Sequence, residues 1–258
     1  MYILAIETTG AFASVALAEA EWESGKVTKF DVIGHIEGHD KFSHLQNLTP
    51  QIERLMKENG SQIDDVDVIA VSCGPGSFTG IRIGISTGRA LSQVLGIPCV
   101  SVPSLDAQAL RYAAKGNEII CPIIDARRNQ IYGGGFCMKE RDDAIGREVE
   151  AVIPAGPYTV EEFMNLLAPL KNNMIVFMGD GIDKYGELIA EFASKLEMDL
   201  SRMAIAEEAI RYQDANTVAL LGASLAAADE TCGFEELKPE YMRQAEAERK
   251  LKEKQKNG

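Results

Sequence analysis

The chain is short of positive charge. Its 258 residues include 26 Lys and Arg against 39 Asp and Glu, a formal net charge of −13. A surface of this sign repels nucleic-acid phosphates at long range, and the sequence also lacks a basic, aromatic-rich face. These features disfavour a stand-alone RNA-binding module. Positive charge is concentrated in residues 243–256, with six Lys or Arg against three Glu. Residues 243–258 are predicted to be a charged tail, either solvated or a docking segment for an acidic partner or RNA.

Long apolar runs and paired cysteine motifs are also missing. No run of roughly 18 apolar residues is present, and no basic segment precedes the first apolar stretch, which Glu7 interrupts. The five cysteines, an odd number, form no CxxC motif; they are Cys73, Cys99, Cys121, Cys137 and Cys232. This pattern is typical of reduced core cysteines in a cytosolic protein. We expect a soluble, cytoplasmic protein with no membrane partner.

Strand and helix patterns occur twice along the chain. The first half has an antiparallel meander of three strands, a helix, an apolar strand and a second helix, at residues 2–6, 14–18, 30–36, 43–58, 66–72 and up to 95. The second half restarts with strands at 119–126 and 130–137, followed by a helix, a strand and two helices at 159–168, 174–178, 184–195 and 214–229. Acidic residues end the first strand of each half, Glu7 and Asp125.

This duplication predicts an α/β protein with two βββαβα-type halves facing a cleft, the actin-like ATPase (ASKHA, ribonuclease H-like) fold of actin, hexokinase and Hsp70. The predicted subdomains are residues 1–103 plus about 214–242, and residues 104–213. The charged tail, 243–258, lies outside both.

The segment from Ser72 to Arg82, SCGPGSFTGIR, joins a buried strand to a helix. Its glycines and proline make a tight turn whose amides could face an anion at the helix N-terminus. A phosphate loop of the GxxxxGK[ST] type is nevertheless absent, and the segment has no lysine. A structural turn and a phosphate cradle therefore both remain open.

The helix after this turn is apolar over much more of its surface than packing on one sheet requires. Gly80, Gly84 and Gly88 recur every four residues in this apolar face, at a cost of roughly 1 kcal/mol each relative to Ala. Either another element of the same chain or a second subunit must approach closely, and we favour the second subunit. The predicted partner interface comprises these glycines with Ile81, Ile83, Thr87, Leu91 and Leu95, and Leu45 and Leu48 of the preceding helix.

Several stretches together resemble the TsaB (YeaZ) family. They are MYILAIETTGAFASVAL from Met1, HLQNLTP from His44, GPGSFTGIRIGISTGRAL from Gly74, IDARRNQIY from Ile124 and the Pro239-x-Tyr241-x-Arg243 ending. The resemblance spans essentially the whole chain. It implies an actin-like fold, homodimerisation, and pairing with a catalytic TsaD-like paralogue and a TsaE-like ATPase. That system transfers a threonylcarbamoyl group to N6 of adenosine 37 in ANN-decoding tRNAs, so tRNA would be met only through the complex.

The sequence departs from the catalytic relatives at two places. TsaD-like enzymes bind metal through paired histidines in the region matching residues 101–108, which here contains no histidine. Actin-like ATPases place an Asp at the end of the first strand to act through Mg²⁺, whereas this chain has Glu7. We therefore expect no catalytic residues, no metal site and no intrinsic cofactor, with ATP or ADP possible at the partner interface.

A vestigial nucleotide cradle remains an expectation at Thr8, Thr9, Gly76 and Ser77. Asp125 with Arg127 is either the second-half counterpart of that cradle or a buried ion pair. His35 and His39 have ligand-like i, i+4 spacing, but Gly38 and the preceding strand pattern disfavour the helix that metal binding would need.

Two functions of different classes follow. The first is a non-catalytic, partner-binding subunit of the tRNA-modifying complex, which supports the catalytic TsaD-like subunit. The second is an enzyme, either a metal-dependent glycopeptidase or a small-molecule kinase of the same superfamily. The missing histidines count against the peptidase, and Asp125 alone does not establish a kinase.

Overall fold

A computed structural model describes residues 1–38, 44–114, 116–127 and 129–242, with the backbone alone at 44–46. Predictions for His39 and for the tail from residue 243 onward lie outside the described residues. Within them, no helix is long and apolar enough to cross a membrane.

The first half forms a mixed five-stranded sheet. Its strands are β1 (Tyr2–Glu7), β2 (Ser14–Glu23), β3 (Lys26–Glu37), β4 (Val66–Gly74) and β5 (Cys99–Pro103), in the order β3-β2-β1-β4-β5. β1 and β2 pair antiparallel with Glu7 opposite Ser14, and β1, β4 and β5 run parallel. Three helices alternate with the later strands: α1 (His44–Glu58) precedes β4, α2 (Phe78–Leu95) precedes β5, and α3 (Ser104–Leu110) follows β5. α1 continues through Pro50.

The second half repeats this topology. Its strands are β6 (Ile119–Asp125), β7 (Gln130–Glu140), β8 (Arg147–Thr159), β9 (Ile175–Met178) and β10 (Met203–Ile205). Read from β8, their order is β8-β7-β6-β9-β10, the same as in the first sheet. The helices are α4 (Val160–Leu167), α5 (Gly181–Lys195), α6 (Glu208–Arg211) and α7 (Ala215–Ala227). The predicted duplication is confirmed, and Glu7 and Asp125 end the equivalent strands β1 and β6.

Helices cover both faces of both sheets. α1 and α2 pack on the outer face of the first sheet, where Leu48, Ile52 and Ile81 join the core. α7 packs on the opposite face of that sheet, and α3 packs on the second sheet, although each follows the other half in sequence. The outer face of the second sheet is covered by α4 and α5. Residues next to the ends of β1 and β6 line one cleft between the halves.

The βββαβα description omits a fifth strand in each half. Four elements that are formed were not predicted from the sequence, namely β5, β8, β10 and α3. The predicted end of α2 is confirmed, because Gly96 adopts φ +68° at its C-cap, a backbone conformation that favours glycine.

Candidate functional site

A cleft of about 400 Å³ lies where β1 and β6 end. Its walls come from the β1–β2 turn, the start of α2, the β6–β7 turn and the start of α5. The lining residues are Thr9, Gly10, Gly76, Ser77, Phe78, Thr79, Ile124, Asp125, Ala126, Arg127, Tyr132 and Asp180. Of the four predicted cradle residues, this set contains Thr9, Gly76 and Ser77.

The turn before α2 is fixed by the neighbouring strand connection. The Ser77 backbone N–H donates to the Thr9 carbonyl at 2.8 Å, and the Ser77 hydroxyl accepts from the Gly80 N–H at 3.2 Å, which caps α2. A side chain at residue 76 would overlap the Thr9 backbone, so glycine is required there. Within the turn, the bond between Gly74 and Pro75 is cis. The turn thus holds the N-terminus of α2 against the cleft.

Thr8 does not reach this cleft, which corrects the prediction for that residue. It is fully buried, and its hydroxyl donates to the Gly80 carbonyl of α2 at 2.7 Å. The side chain therefore links the start of the β1–β2 turn to α2, and no part of it is available to a nucleotide.

Glu7 is buried behind the cleft. Its side chain is 1% exposed, and the hydroxyl of Thr9 donates to Oε1 at 2.6 Å. Burial raises the pKa of this carboxyl, against the opposing effect of its hydrogen bonds with Thr9 and Ser72. Oε2 is buried without a hydrogen-bond partner among the described residues. A carboxyl enclosed in this way does not fit a Mg²⁺-nucleotide, which needs an anionic oxygen open to the ion and its waters.

Asp125 lies at the opposite wall and is tied to α5. Lys184 Nζ donates to both carboxylate oxygens at 3.0 and 3.1 Å, and the Tyr185 hydroxyl donates to Oδ1 at 2.9 Å. Burial raises the pKa of Asp125, but these donors and the Arg127 backbone N–H outweigh it and hold the pKa below its ordinary value. Of the two alternatives for Asp125 and Arg127, the buried ion pair is not formed among the described residues, because the cation beside Asp125 is Lys184.

Asp180 follows β9 and lines the same wall. Burial, with the nearby charges of Asp125 and Asp183, raises its pKa to about 6. One of its oxygens accepts from the Asp125 backbone N–H at 3.3 Å. Asp180 and Lys184 were not predicted as site residues, although the Gly179-Asp180-Gly181 turn after a buried strand is a usable sequence signal.

In the described residues, no group of three His, Cys, Asp or Glu side chains is arranged to hold a metal ion. His35 contacts Asp214 instead, with Nε2 3.2 Å from Oδ2, and Arg111 approaches the same oxygen at 3.4 Å. Asp214 caps α7, so this histidine has a structural contact that joins β3 to α7.

The glycine stripe of α2 faces the chain's own sheet. A Cβ at Gly80 would overlap the Thr8 carbonyl, one at Gly84 the Thr8 hydroxyl, and one at Gly88 the Val71 side chain. Ile81 is buried between α2 and the sheet, and Leu48 is buried on the inner face of α1. The close approach that we assigned to a second subunit is therefore made by β1 and β4.

Other predicted interface residues remain at the surface. Ile83, Thr87, Leu91 and Leu95 are half-buried on the outer side of α2. The side chain of Leu45 lies outside the described residues. A groove of about 900 Å³ runs between α1 and α2. Its lining is Thr49, Ile52, Glu53, Met56, Lys57, the turn at 60–63, Ser86, Thr87, Ala90 and Leu91.

A C-terminal strap, residues 232–241, crosses the outer side of the first half. Leu237 is fully buried beside α2, and the Glu240 N–H donates to the Cys73 carbonyl at 2.8 Å. Tyr241 stacks on Phe78 with ring centroids 5.0 Å apart, and its hydroxyl accepts from Arg82 at 2.8 Å. The Pro239-x-Tyr241 motif thus joins the strap to the first turns of α2.

Comparison with known proteins gives the family. A family model described as "TsaD: tRNA N6-adenosine threonylcarbamoyltransferase" matches residues 40–251. The chain is 29% identical to the tRNA threonylcarbamoyladenosine biosynthesis protein TsaB of Bacillus subtilis, over 99% of this chain and all of that protein. The Escherichia coli protein of the same name is 28% identical, over 97% of this chain and 98% of that one. The chain belongs to this family, in its TsaB (YeaZ) branch.

Solved structures agree on the fold of the TsaB family. A structure of YeaZ from Pseudomonas aeruginosa aligns with a TM-score of 0.68 and 24% identity, covering 93% of this chain and 99% of that one. A second Pseudomonas aeruginosa structure, described as similar to peptidase YeaZ, aligns with a TM-score of 0.69. The α/β, ribonuclease H-like architecture is therefore shared. In the TsaB-type chain described here, residues 101–108, the region without histidines, form the end of β5 and most of α3.

Proposed function

We propose that this chain is a non-catalytic, partner-binding subunit in the biosynthesis of threonylcarbamoyladenosine on tRNA. It supports a TsaD-like catalytic paralogue, which transfers the threonylcarbamoyl group to N6 of adenosine 37 in ANN-decoding tRNAs. A TsaE-like ATPase joins the same assembly in the cytoplasm. With a net charge of −13, the chain meets tRNA through its partners.

The groove between α1 and α2 is the observation that carries this proposal. It is large, mostly apolar, and open along two helices whose inner faces pack on the first sheet. Apolar grooves of this kind are typical of protein interaction sites. Thr87 and Leu91, two of the residues predicted to contact a partner, line it directly. We propose that the TsaD-like subunit and a second copy of this chain compete for this groove.

The carboxylates at the cleft favour a non-catalytic role for this chain. Glu7 is enclosed by Thr9 and the β1–β2 turn, and Asp125 is neutralised by Lys184. Neither carboxylate is free to position a metal-bound phosphate or to take a proton from a substrate. We propose that any adenine nucleotide used by the complex is held at the partner interface and requires residues of both subunits.

Reconstitution tests this function. The purified chain is combined with the TsaD-like and TsaE-like subunits, tRNA, ATP and threonylcarbamoyl-adenylate, and modified adenosine is measured with each protein omitted in turn. We expect modification only when this chain and the TsaD-like subunit are both present, and no ATP hydrolysis by this chain alone. ATP turnover by the isolated chain that disappears in Asp125→Ala would contradict the proposal and support the kinase-like alternative.

A further inference from the structure

Two cysteines lie opposite each other where the strap meets the first sheet. Cys99 is the first residue of β5, and Cys232 follows α7 in the strap. They form an isolated antiparallel bridge in which each backbone N–H donates to the other residue's carbonyl, both at 2.8 Å. The sequence separates these residues widely, so the pair exists only in the folded chain.

The geometry of this bridge places the two side chains together. Residues that exchange both hydrogen bonds across antiparallel strands have Cα atoms about 5.5 Å apart and side chains on the same face. Disulfides span Cα separations of roughly 4.4 to 6.8 Å, with Cβ atoms about 3.5 to 4.5 Å apart. Directly opposite residues have Cβ atoms about 4.5 to 5.5 Å apart, so this pair must close by up to about 1 Å to form the bond. Both side chains contact the same core, and the charge of either thiolate would act on the other. Cys99 is buried, whereas Cys232 is half-buried and is therefore the more exposed residue of the pair.

We propose that Cys99 and Cys232 are a site of reversible disulfide formation. A low-molecular-weight disulfide is the oxidant. The Cys232 thiolate attacks one of its sulfurs and releases the first small thiol, which leaves a mixed disulfide at Cys232. The Cys99 thiolate then attacks the Cys232 sulfur, releases the second small thiol and closes the protein disulfide. The two thiol protons are taken up by the two released thiolates, and the two electrons reduce the oxidant.

The link would fasten the strap to the sheet that supports α2. The loop that it closes runs from residue 99 to residue 232 and contains the whole second half of the chain. Beyond Cys232, Leu237 and Tyr241 already dock the strap on α2. Oxidation would therefore stiffen the half that carries the α1–α2 groove.

The other cysteines provide controls. Cys121 is fully buried. Cys137 is half-buried like Cys232, but its sulfur contacts the Glu150 carbonyl and carboxylate.

Burial raises the pKa of both Cys99 and Cys232. Disulfide formation should therefore accelerate from pH 7 to pH 9 as thiolate forms.

The full-length protein is incubated with oxidised glutathione at pH 8, alkylated, digested with trypsin without reduction and analysed by mass spectrometry. We expect a disulfide-linked pair of peptides, residues 90–111 and 212–243, which separates on reduction. We also expect the oxidised protein to melt roughly 5 to 15 °C higher, because the link closes a long loop. Cys232→Ala should abolish both changes, and Cys137→Ala should keep both.

Three results would overturn the proposal. One is a stable glutathione adduct on Cys232 with no link to Cys99. The second is oxidation of Cys137 under conditions that leave Cys99 and Cys232 as thiols. The third is a melting shift that persists in Cys232→Ala, because it would show that another residue causes the stabilisation.

Discussion

Gly84 of α2 lies directly against Thr8, the residue after β1, so that a Cβ at residue 84 would overlap the Thr8 hydroxyl oxygen. That hydroxyl donates to the carbonyl of Gly80, one turn earlier. The glycine stripe thus lets a helix approach the first strand closely enough for a side chain of the sheet to bond the helix backbone. Close packing inside the chain explains why these glycines occur in α2 despite their low helix propensity.

Gly84→Leu should destabilise the monomer. A leucine gains nearly 1 kcal/mol of helix propensity, but it must displace Thr8 and Val71, and overpacking of this kind costs roughly 1 to 3 kcal/mol or more. We expect the melting temperature to fall by several degrees, while any folded protein keeps its partners. The matched control is Gln93→Leu on the exposed side of α2, which should melt like the parent. A Gly84→Leu protein of unchanged stability that has lost association would contradict the internal assignment.

Whether the glycine stripe faces the chain's own sheet or a partner could not be predicted from the sequence. A helix that is apolar over most of its circumference does not show which side meets the sheet, and small residues suit both a strand and a partner helix. Similarly, the acid at the end of β1 is visible in the sequence, but its burial depends on Thr9 and Ser72, which the fold brings around it.

Regular elements were predicted where the apolar pattern is strong. β1, β4, β6 and β9 are nearly all apolar because both faces are covered, and the repeated order of strands and helices revealed the duplication. β8 is an edge strand with mostly exposed or half-buried residues and contains Pro154 and Pro157, so its pattern is weak. β10 has only three residues, too few for a periodic signal.

Asp180→Asn should change the pH dependence of stability. The folded chain holds the Asp180 pKa at about 6, above the ordinary value of 3.8, so the folded state binds this proton more tightly than the unfolded state. This contribution to stability is complete below about pH 4 and is lost as the pH rises through 6. Asparagine removes the penalty and should stabilise the protein at pH 7 by roughly 1 to 3 kcal/mol. Denaturant titrations at pH 4.5 and pH 7 would show it, and an equal difference at both pH values would contradict it.

The strap should contribute to stability, whereas the charged tail should not. Leu237 is fully buried beside α2, so Leu237→Ala should cost about 2 to 4 kcal/mol of the free energy of unfolding. Removing residues 244–258 should leave the melting temperature unchanged, because this segment has little apolar content to bury. Thermal melts of both proteins test the contrast. A large loss of stability in the truncated protein would show that the tail docks on the fold.

The central claim is that the groove between α1 and α2 binds the partner. Ala90 is exposed and lines the groove, so Ala90→Glu introduces a charge there without disturbing the core. The control is Leu166→Glu, a similar change at an exposed position on α4 of the second half. Both variants should melt within about 2 °C of the parent, since surface substitutions are usually worth less than about 0.5 kcal/mol.

Sedimentation velocity with the purified TsaD-like subunit is the most direct measurement. We expect Leu166→Glu to form the complex like the parent. Ala90→Glu should stay folded and sediment separately, with its affinity for the TsaD-like subunit reduced at least about tenfold, or roughly 1.4 kcal/mol. A complex of parental affinity with Ala90→Glu, or loss of binding in Leu166→Glu alone, would contradict this claim.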